Sequence, residues 1–186
     1  MCSTAALAFA LLALLALGCA PRPEEPLNVI IVSLDDLRAD RLGAYGYARD
    51  TSPQIDAFAH EGVVFRDAIT QFTSTWHSHR ALFSGRYAFR PGDRTFLAEQ
   101  LRAHGYRTAA FTGGGFLNRK FGLDAGFEVY FDELDHGRLD LILEPALEWL
   151  ERNRGEPFFL FFHTYEAHCP WAPPEPYRSL FVGEQA

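Results

Sequence analysis

The chain has 186 residues, of which 48% are hydrophobic, and a formal net charge of −7. This length suits one domain, and the apolar content, with 17 phenylalanines, favours a packed core and excludes a disordered chain. The acidic balance excludes the basic surface that nucleic-acid binding requires, so we expect no nucleic-acid partner.

The first residues have the pattern of an export signal. Ala5 to Leu17 is an unbroken apolar run, too short to cross a bilayer but suited to the core of a secretory signal. Gly18 and Cys19 follow, which resembles the lipobox of bacterial lipoproteins, whose cysteine is lipidated; an ordinary cleaved signal is the alternative. We predict a signal peptide over residues 1–19, a Pro-rich linker over 20–27, and an exported protein of the periplasm or cell envelope. A lipidated Cys19 would attach it to the membrane.

Apolar runs and turn signals then predict alternating strands and helices. Strands are predicted at 28–34, 63–68, 106–112 and 157–162, and helices at 52–60, 78–84, 95–104 and 139–153. Residues 113–115, all glycine, predict a loop that is either mobile or closely packed. This alternation is typical of an α/β fold with a mostly parallel sheet and helices on both faces. Ligand sites in such sheets lie at the carboxyl ends of the strands.

Polar side chains follow the first and the last of these strands. Asp35 and Asp36 come directly after the first strand, where two adjacent carboxylates repel each other and a hard divalent cation would relieve the repulsion. The alternative is that one caps a turn and the other faces water. His163 and His168 come at or just past the last strand, where they could contact an anion or a metal, or could lie in a solvated loop.

Hydroxyl groups also stand in front of a short predicted helix. Thr73, Ser74 and Thr75 lie there, and a helix N-terminus suits a phosphate or sulfate group. A hydroxyl at such a place becomes a nucleophile if a metal lowers its pKa. The alternative is that the hydroxyl only caps the helix.

Together these segments resemble the sulfatases and their phosphate-cleaving relatives in the alkaline-phosphatase superfamily. The resemblance covers residues 28–181, and it is carried by N-V-I-I-V-S-L-D-D-L-R-A-D-R-L-G-A-Y-G-Y from Asn28, by F-G-L-D-A-G-F-E from Phe121, and by the segment His163–Tyr177. It implies that residues 28–186 form the N-terminal part of a sulfatase-like catalytic domain whose sheet is incomplete at the C-terminus. It also implies that Asp35 and Asp36 bind a divalent cation (Ca, Mn or Zn) and that His168 contacts the anionic group of a small or polymeric ester substrate.

The nucleophile position departs from the family pattern. The sulfatase motif begins with a Cys or Ser that is oxidised to formylglycine, whereas here Thr75 takes that place, His77 replaces the motif proline and His79 replaces the motif arginine. Oxidation of a threonine would give a ketone instead of the aldehyde. We therefore predict that Thr75 itself is the nucleophile, close to the metal, which favours phosphate over sulfate. His79 would orient or protonate near it, and Lys120 would neutralise charge.

Two other interpretations stay open. The remaining metal ligands of the family, an Asp followed by His or Asn, lie far downstream of the histidine segment, and Asp135–His136 comes too early to be that pair. The chain would then hold part of a metal site, and a non-catalytic exported lipoprotein or pseudoenzyme is the alternative function. A phosphotransferase on the same scaffold would differ only in the acceptor. An incomplete sheet also predicts an exposed apolar edge.

Overall fold

The computed structural model describes residues 26–89, 94–133 and 139–181. It contains four strands, β1 (Val29–Leu34), β2 (Arg107–Phe111), β3 (Val129–Phe131) and β4 (Phe158–Thr164), and four α-helices, α1 (Pro53–His60), α2 (Thr75–Ser84), α3 (Leu97–Ala103) and α4 (Leu139–Asn153). Short 3-10 turns lie at Ala39–Arg41, Gly43–Tyr45, Gly115–Leu117 and Arg119–Phe121. The predicted signal peptide with Cys19, residues 20–25 of the predicted linker, and Asp135–His136 fall outside the described residues. None of the described helices is long and apolar enough to span a membrane.

The four strands form one parallel sheet in the order β1–β4–β2–β3. β4 lies between two neighbours, and all seven of its residues are buried. This explains its continuous apolar sequence, because a central parallel strand covered on both faces needs apolar side chains at every position. Its register places Val29 of β1 opposite Phe159 and Leu34 opposite Thr164, so the two strands end side by side.

Helices cover both faces of the sheet, as the alternating sequence pattern predicts. On one face, α2 and α3 contribute Phe83 and Ala98 to a core that includes Phe159 and Phe161 of β4. On the other face, α4 buries Ile142, Ala146 and Trp149 against Phe158 and Leu160. The apolar spacing of α4 is therefore explained by its one buried stripe.

Local signals set the ends of the helices. Pro53 occupies the first turn of α1, where its missing N–H leaves no hydrogen bond unmade. Gly85 ends α2 in the left-handed conformation, at a φ of 62°, as glycine at this position commonly does. In α3, the Glu99 side chain accepts a hydrogen bond of 2.7 Å from the backbone N–H of Phe96. The first turn of α4 is tied to the loop after β4, because Leu139 N–H donates to Glu166 Oε1 at 2.7 Å.

Several predicted boundaries are wrong. Residues 63–68 form no strand; Val63 and Phe65 are 81% and 71% exposed, so their apolar character marks no buried strand. Strand propensity depends on a packing partner, and none of the described elements pairs with this segment. β3 was not predicted, because three residues are too few to make a periodic signal. The helix predicted at 78–84 begins instead at Thr75, and β4 extends to Thr164, two residues past its predicted end.

The glycine segment at 113–115 is closely packed. Gly113 and Gly114 are buried, and Gly115 has a φ of 58°, which favours glycine. A Cβ atom on Gly115 would lie 2.9 Å from the hydroxyl of Tyr165, which is closer than van der Waals contact allows. The loop therefore needs glycine so that the segment after β4 can approach it.

β1 is half covered. Val29 and Ile31 pack against the core, whereas Ile30, Val32 and Leu34 on the opposite face are 51%, 59% and 38% exposed. Among the described strands, β1 also pairs on one side alone. The expected exposed apolar edge is thus present in the described part of the chain.

Candidate active site

The acidic pair lies where β1 and β4 end. The backbone N–H of Asp35 donates to the carbonyl of Thr164 at 3.0 Å, so the parallel ladder holds Asp35 at the edge of the sheet. Asp36 then takes a φ of 58°, a left-handed conformation that is uncommon outside glycine, asparagine and aspartate. The chain turns sharply here, and the two carboxylates stay close instead of pointing to opposite faces as they would in a strand.

Thr75 meets Asp35 across the gap between β1 and α2. Thr75 is the first residue of α2, and its hydroxyl donates to Asp35 Oδ2 at 3.2 Å. Burial raises the pKa of Asp35 above its ordinary value; the hydrogen bond from Thr75 opposes that rise, and the neighbouring charge of Asp36 adds to it. The predicted metal-binding and nucleophilic residues are thus adjacent in space, although they are 40 residues apart in sequence.

His168 completes a cluster of possible ligands. Its Nε2 lies 3.5 Å from Asp36 Oδ2. One ligand atom from each of Asp35, Asp36 and His168 lies within 4.8 Å of the others. Carboxylate oxygens and imidazole nitrogen suit Mn²⁺ and Zn²⁺, the carboxylates also suit Ca²⁺, and a cation would offset the burial and repulsion that raise the pKa of Asp35. These residues therefore fit a divalent cation. Three donors are fewer than the four or more such ions take, so further ligands are required.

His79 lies beneath Thr75, one turn along α2. It is buried, with Nδ1 2.7 Å from the carbonyl oxygen of Thr75 and Nε2 2.9 Å from Ser33 Oγ. A carbonyl can only accept, so Nδ1 carries the proton and Nε2 accepts from the serine hydroxyl. Burial lowers the pKa of His79, which favours the neutral ring that this pattern needs. Through these two bonds His79 links the backbone of Thr75 in α2 to Ser33 in β1, so it orients Thr75.

His163 is not in a solvated loop, contrary to one of the two expectations for it. It lies within β4, fully buried, and neither ring nitrogen has a hydrogen-bond partner within the described part of the chain. Burial, and to a lesser degree the nearby His79, lowers the pKa of His163 to about 3. Its ring packs edge-on against His79 and Tyr165, with centroids 5.2 and 4.6 Å away. The two-residue extension of β4 explains this burial.

A cleft of about 630 Å³ opens beside the cluster. Asp36, Thr75 and His168 line it, together with aromatic residues that the sequence patterns did not single out as site residues: Trp76, Phe116, Phe121 and Tyr165. Ser74 Oγ lies 2.6 Å from Nδ1 of His77, and this hydrogen bond holds the two side chains together at the N-terminus of α2. Lys120 is exposed and does not line the cleft; its ammonium lies 5.1 Å from the ring centroid of Phe121.

The fold and this site define an α/β protein with carboxylates, a hydroxyl and imidazoles gathered at the carboxyl ends of two parallel strands. The sulfatase family model matches residues 27–185. The chain belongs to the sulfatase family.

Curated relatives agree with this family. Arylsulfatase A of Bos taurus is 32% identical over 139 residues, which is 66% of this chain and 26% of the relative. N-acetylglucosamine-6-O-sulfatase of Bacteroides thetaiotaomicron is 24% identical over 87% of this chain and 34% of the relative. The chain thus spans about a quarter of the first relative's length and about a third of the second's.

Solved structures share the fold. The C-terminal periplasmic domain of EcEptC from Escherichia coli, a complex with Zn, superposes with a TM-score of 0.65 at 18% identity over 82% of this chain and 48% of that one. Phosphonate monoester hydrolase of Agrobacterium radiobacter superposes with a TM-score of 0.64 at 20% identity over 85% of this chain and 44% of that one. Both confirm the expected α/β fold with a parallel sheet.

Proposed function

We propose that this chain carries the nucleophile and part of the metal site of a hydrolase that cleaves a phosphate or sulfate ester, with phosphate preferred. The hydrogen bond of 3.2 Å from the Thr75 hydroxyl to Asp35, beside the Asp36–His168 pair, carries the proposal. Membership of the sulfatase family supports ester chemistry. Relatives such as N-acetylglucosamine-6-O-sulfatase are named for a sulfate ester, which supports an anionic ester as the substrate.

In the proposed reaction, the oxygen of Thr75 forms a bond to phosphorus while the bond between phosphorus and the leaving alcohol breaks. The Thr75 hydroxyl already donates its hydrogen bond to Asp35, so Asp35 orients the nucleophile and accepts its proton as the bond to phosphorus forms. The leaving alcohol takes up a proton from water. His79 fixes the backbone of Thr75. His168 lines the same cleft and, in this reaction, holds the anionic group instead of the cation. A divalent cation held by Asp35, Asp36 and Thr75 would stabilise the charge that develops during transfer. Water then releases the group from Thr75; release to another alcohol is the phosphotransferase alternative.

The test compares two neighbouring hydroxyls in the full-length protein. Thr75→Ala should lower kcat for 4-nitrophenyl phosphate by roughly 10³-fold or more, because it removes the nucleophile. Ser74→Ala is the matched control, since Ser74 lines the same cleft, and it should retain most activity. Mass spectrometry after acid quenching should find the transferred group on Thr75. Equal losses in both variants, or turnover of the aryl sulfate with Thr75 unmodified while the aryl phosphate is untouched, would remove Thr75 from this role.

Metal titration separates the proposal from a non-catalytic role. The chain should gain thermal stability with Ca²⁺, Mn²⁺ or Zn²⁺, because a ligand that binds the folded state raises the unfolding midpoint. Asp36→Asn should weaken this effect, since it removes one carboxylate charge from the cluster. A chain that binds none of the three ions supports the pseudoenzyme instead.

We also propose that the signal at residues 1–19 exports the protein. Residues 28–186 would then form the catalytic part that is exported. The periplasmic origin of a structural neighbour supports export. Mass spectrometry of the N-terminal peptide from an expressing bacterium tests it: a diacylglyceryl group on Cys19 supports a lipoprotein, and an unprocessed Met1 contradicts export.

A further inference from the structure

The cleft next to Thr75 is rich in aromatic side chains. Four of its ten lining residues are Trp76, Phe116, Phe121 and Tyr165. Phe116 is 57% exposed and Phe121 36% exposed, so both present ring surface that the chain itself leaves uncovered. Exposed aromatic area inside a concave site gains free energy when an apolar ligand covers it.

Three of these rings are held in place by polar contacts or by each other. The indole N–H of Trp76 donates to the carbonyl of Phe121 at 3.0 Å, which ties the first turn of α2 to the 3-10 turn at Arg119–Phe121. Phe116 and Phe121 lie 5.9 Å apart between ring centroids, with an interplanar angle of 35°. Because these three rings are already ordered, a flat ligand can stack on them with little further loss of side-chain entropy.

The charges around the cleft disfavour a second anionic group on the substrate. None of the ten residues that line the cleft is a lysine or an arginine. Two cations beside its aromatic residues lie on aromatic faces: the guanidinium of Arg80 lies 5.0 Å from the ring centroid of Trp76, and the ammonium of Lys120 lies 5.1 Å from that of Phe121. A polyanionic saccharide would therefore bury charge without a matching partner, which is unfavourable.

We infer that Trp76, Phe116 and Phe121 bind the organic part of the ester and select an uncharged aromatic alcohol over a polyanionic saccharide. The inference rests on the proposed function, since it names the substrate class for the same site. Phe116 is the specificity-determining residue that can be tested most cleanly, because its exposure means that its removal does little to the core.

The experiment uses the full-length protein with the divalent cation that supports turnover. Phe116→Ala should lower kcat/KM for phenyl phosphate by roughly tenfold and leave methyl phosphate unchanged, because only the phenyl ester contacts the ring. Phe116→Leu should fall between the two, since it keeps apolar area but loses the flat face. Phe58→Ala is the matched control: Phe58 is 79% exposed on α1 and does not line the cleft.

A binding assay keeps the two proposals distinguishable. Calorimetry should show phenylphosphonate binding more tightly than methylphosphonate, and Phe116→Ala should remove most of the difference. If no ester is turned over but this preference appears and is lost in the variant, the proposed function fails and the aromatic site stands. If esters are turned over but Phe116→Ala affects phenyl and methyl compounds equally, the aromatic site is refuted and the proposed function stands. Faster turnover of a sulfated or phosphorylated oligosaccharide than of the phenyl ester also overturns the inference.

Discussion

His163 makes the stability of the folded chain sensitive to acid. Its ring is fully buried in β4, and its pKa is about 3, against an ordinary value of 6.5. Between these two values the unfolded chain binds a proton that the folded chain does not. The contribution of His163 to stability is therefore complete above pH 6.5 and is lost progressively as the pH falls toward 3.

The size of the effect follows from the same two values. At pH 5 the unfolded histidine is almost fully protonated while the folded one is almost neutral. The difference in protonation lowers the free energy of unfolding at pH 5 by about 2 kcal/mol relative to pH 7.5, because one pKa unit corresponds to about 1.4 kcal/mol. His163→Leu, a change of similar volume, should abolish this loss. It should also stabilise the chain at pH 7.5 by about 1 kcal/mol, since it removes buried nitrogen atoms that have no hydrogen bond among the described residues.

Urea unfolding of the purified chain, followed by circular dichroism, gives the free energy of unfolding at pH 7.5 and at pH 5. The effect is the change between the two pH values in wild type minus the same change in His163→Leu. Subtracting the variant from the wild type cancels the other titrating groups. His60→Gln, an exposed substitution at the end of α1, is the control and should leave the wild-type difference intact. An equal loss of stability in wild type and His163→Leu would mean that the folded ring is protonated or paired at pH 5, and the reasoning from burial would be wrong.

Two further outcomes follow from the packing and the acidic pair. Gly126→Ala should destabilise the chain by about 3 kcal/mol or more, because the new Cβ would lie 2.2 Å from the backbone nitrogen of Glu99 and the residue has a φ of 87°. The loss should appear as a lower urea midpoint, and a midpoint within error of wild type would contradict this contact. Asp35→Asn should raise the thermal midpoint of the metal-free chain at pH 7, since burial and Asp36 disfavour the charge on Asp35. It should also reduce the stabilisation by added cation. A lower metal-free midpoint would show that the Asp35 charge does not destabilise the folded chain.

Much of the fold could be predicted because local and global signals agree. β1 and β4 are continuous apolar runs, α1 and α2 have clear end signals, and α4 has a regular apolar stripe. Each of these patterns depends on a few neighbouring residues. The acidic pair was predicted at a strand end for the same reason, and its proximity to the segment after β4 follows from the parallel topology.

The rest depends on contacts that no local pattern contains. The apolar residues of 63–68 resemble a strand, but whether a strand forms is decided by a partner elsewhere in the chain. His163 follows an apolar run, and only the length of the neighbouring strand β1, paired as far as Leu34 with Thr164, shows that it is still inside the sheet. The aromatic side of the cleft joins Trp76 at the start of α2 to Phe121, 45 residues later, so neither segment alone predicts it.

The pairing of β1 with β4, the first and last of the described strands, also bears on the order of folding. The backbone N–H of Phe158 donates to the side chain of Asn28, across 130 residues of sequence. β1 therefore emerges from the ribosome long before the strand that it pairs with. Because closing such a long loop is entropically costly, the contacts of β1 with β4 should form late, and Asp35 should meet His168 only then. Until that moment the apolar side chains of β1 have no sheet to join, so they should stay exposed while the rest of the chain is synthesised.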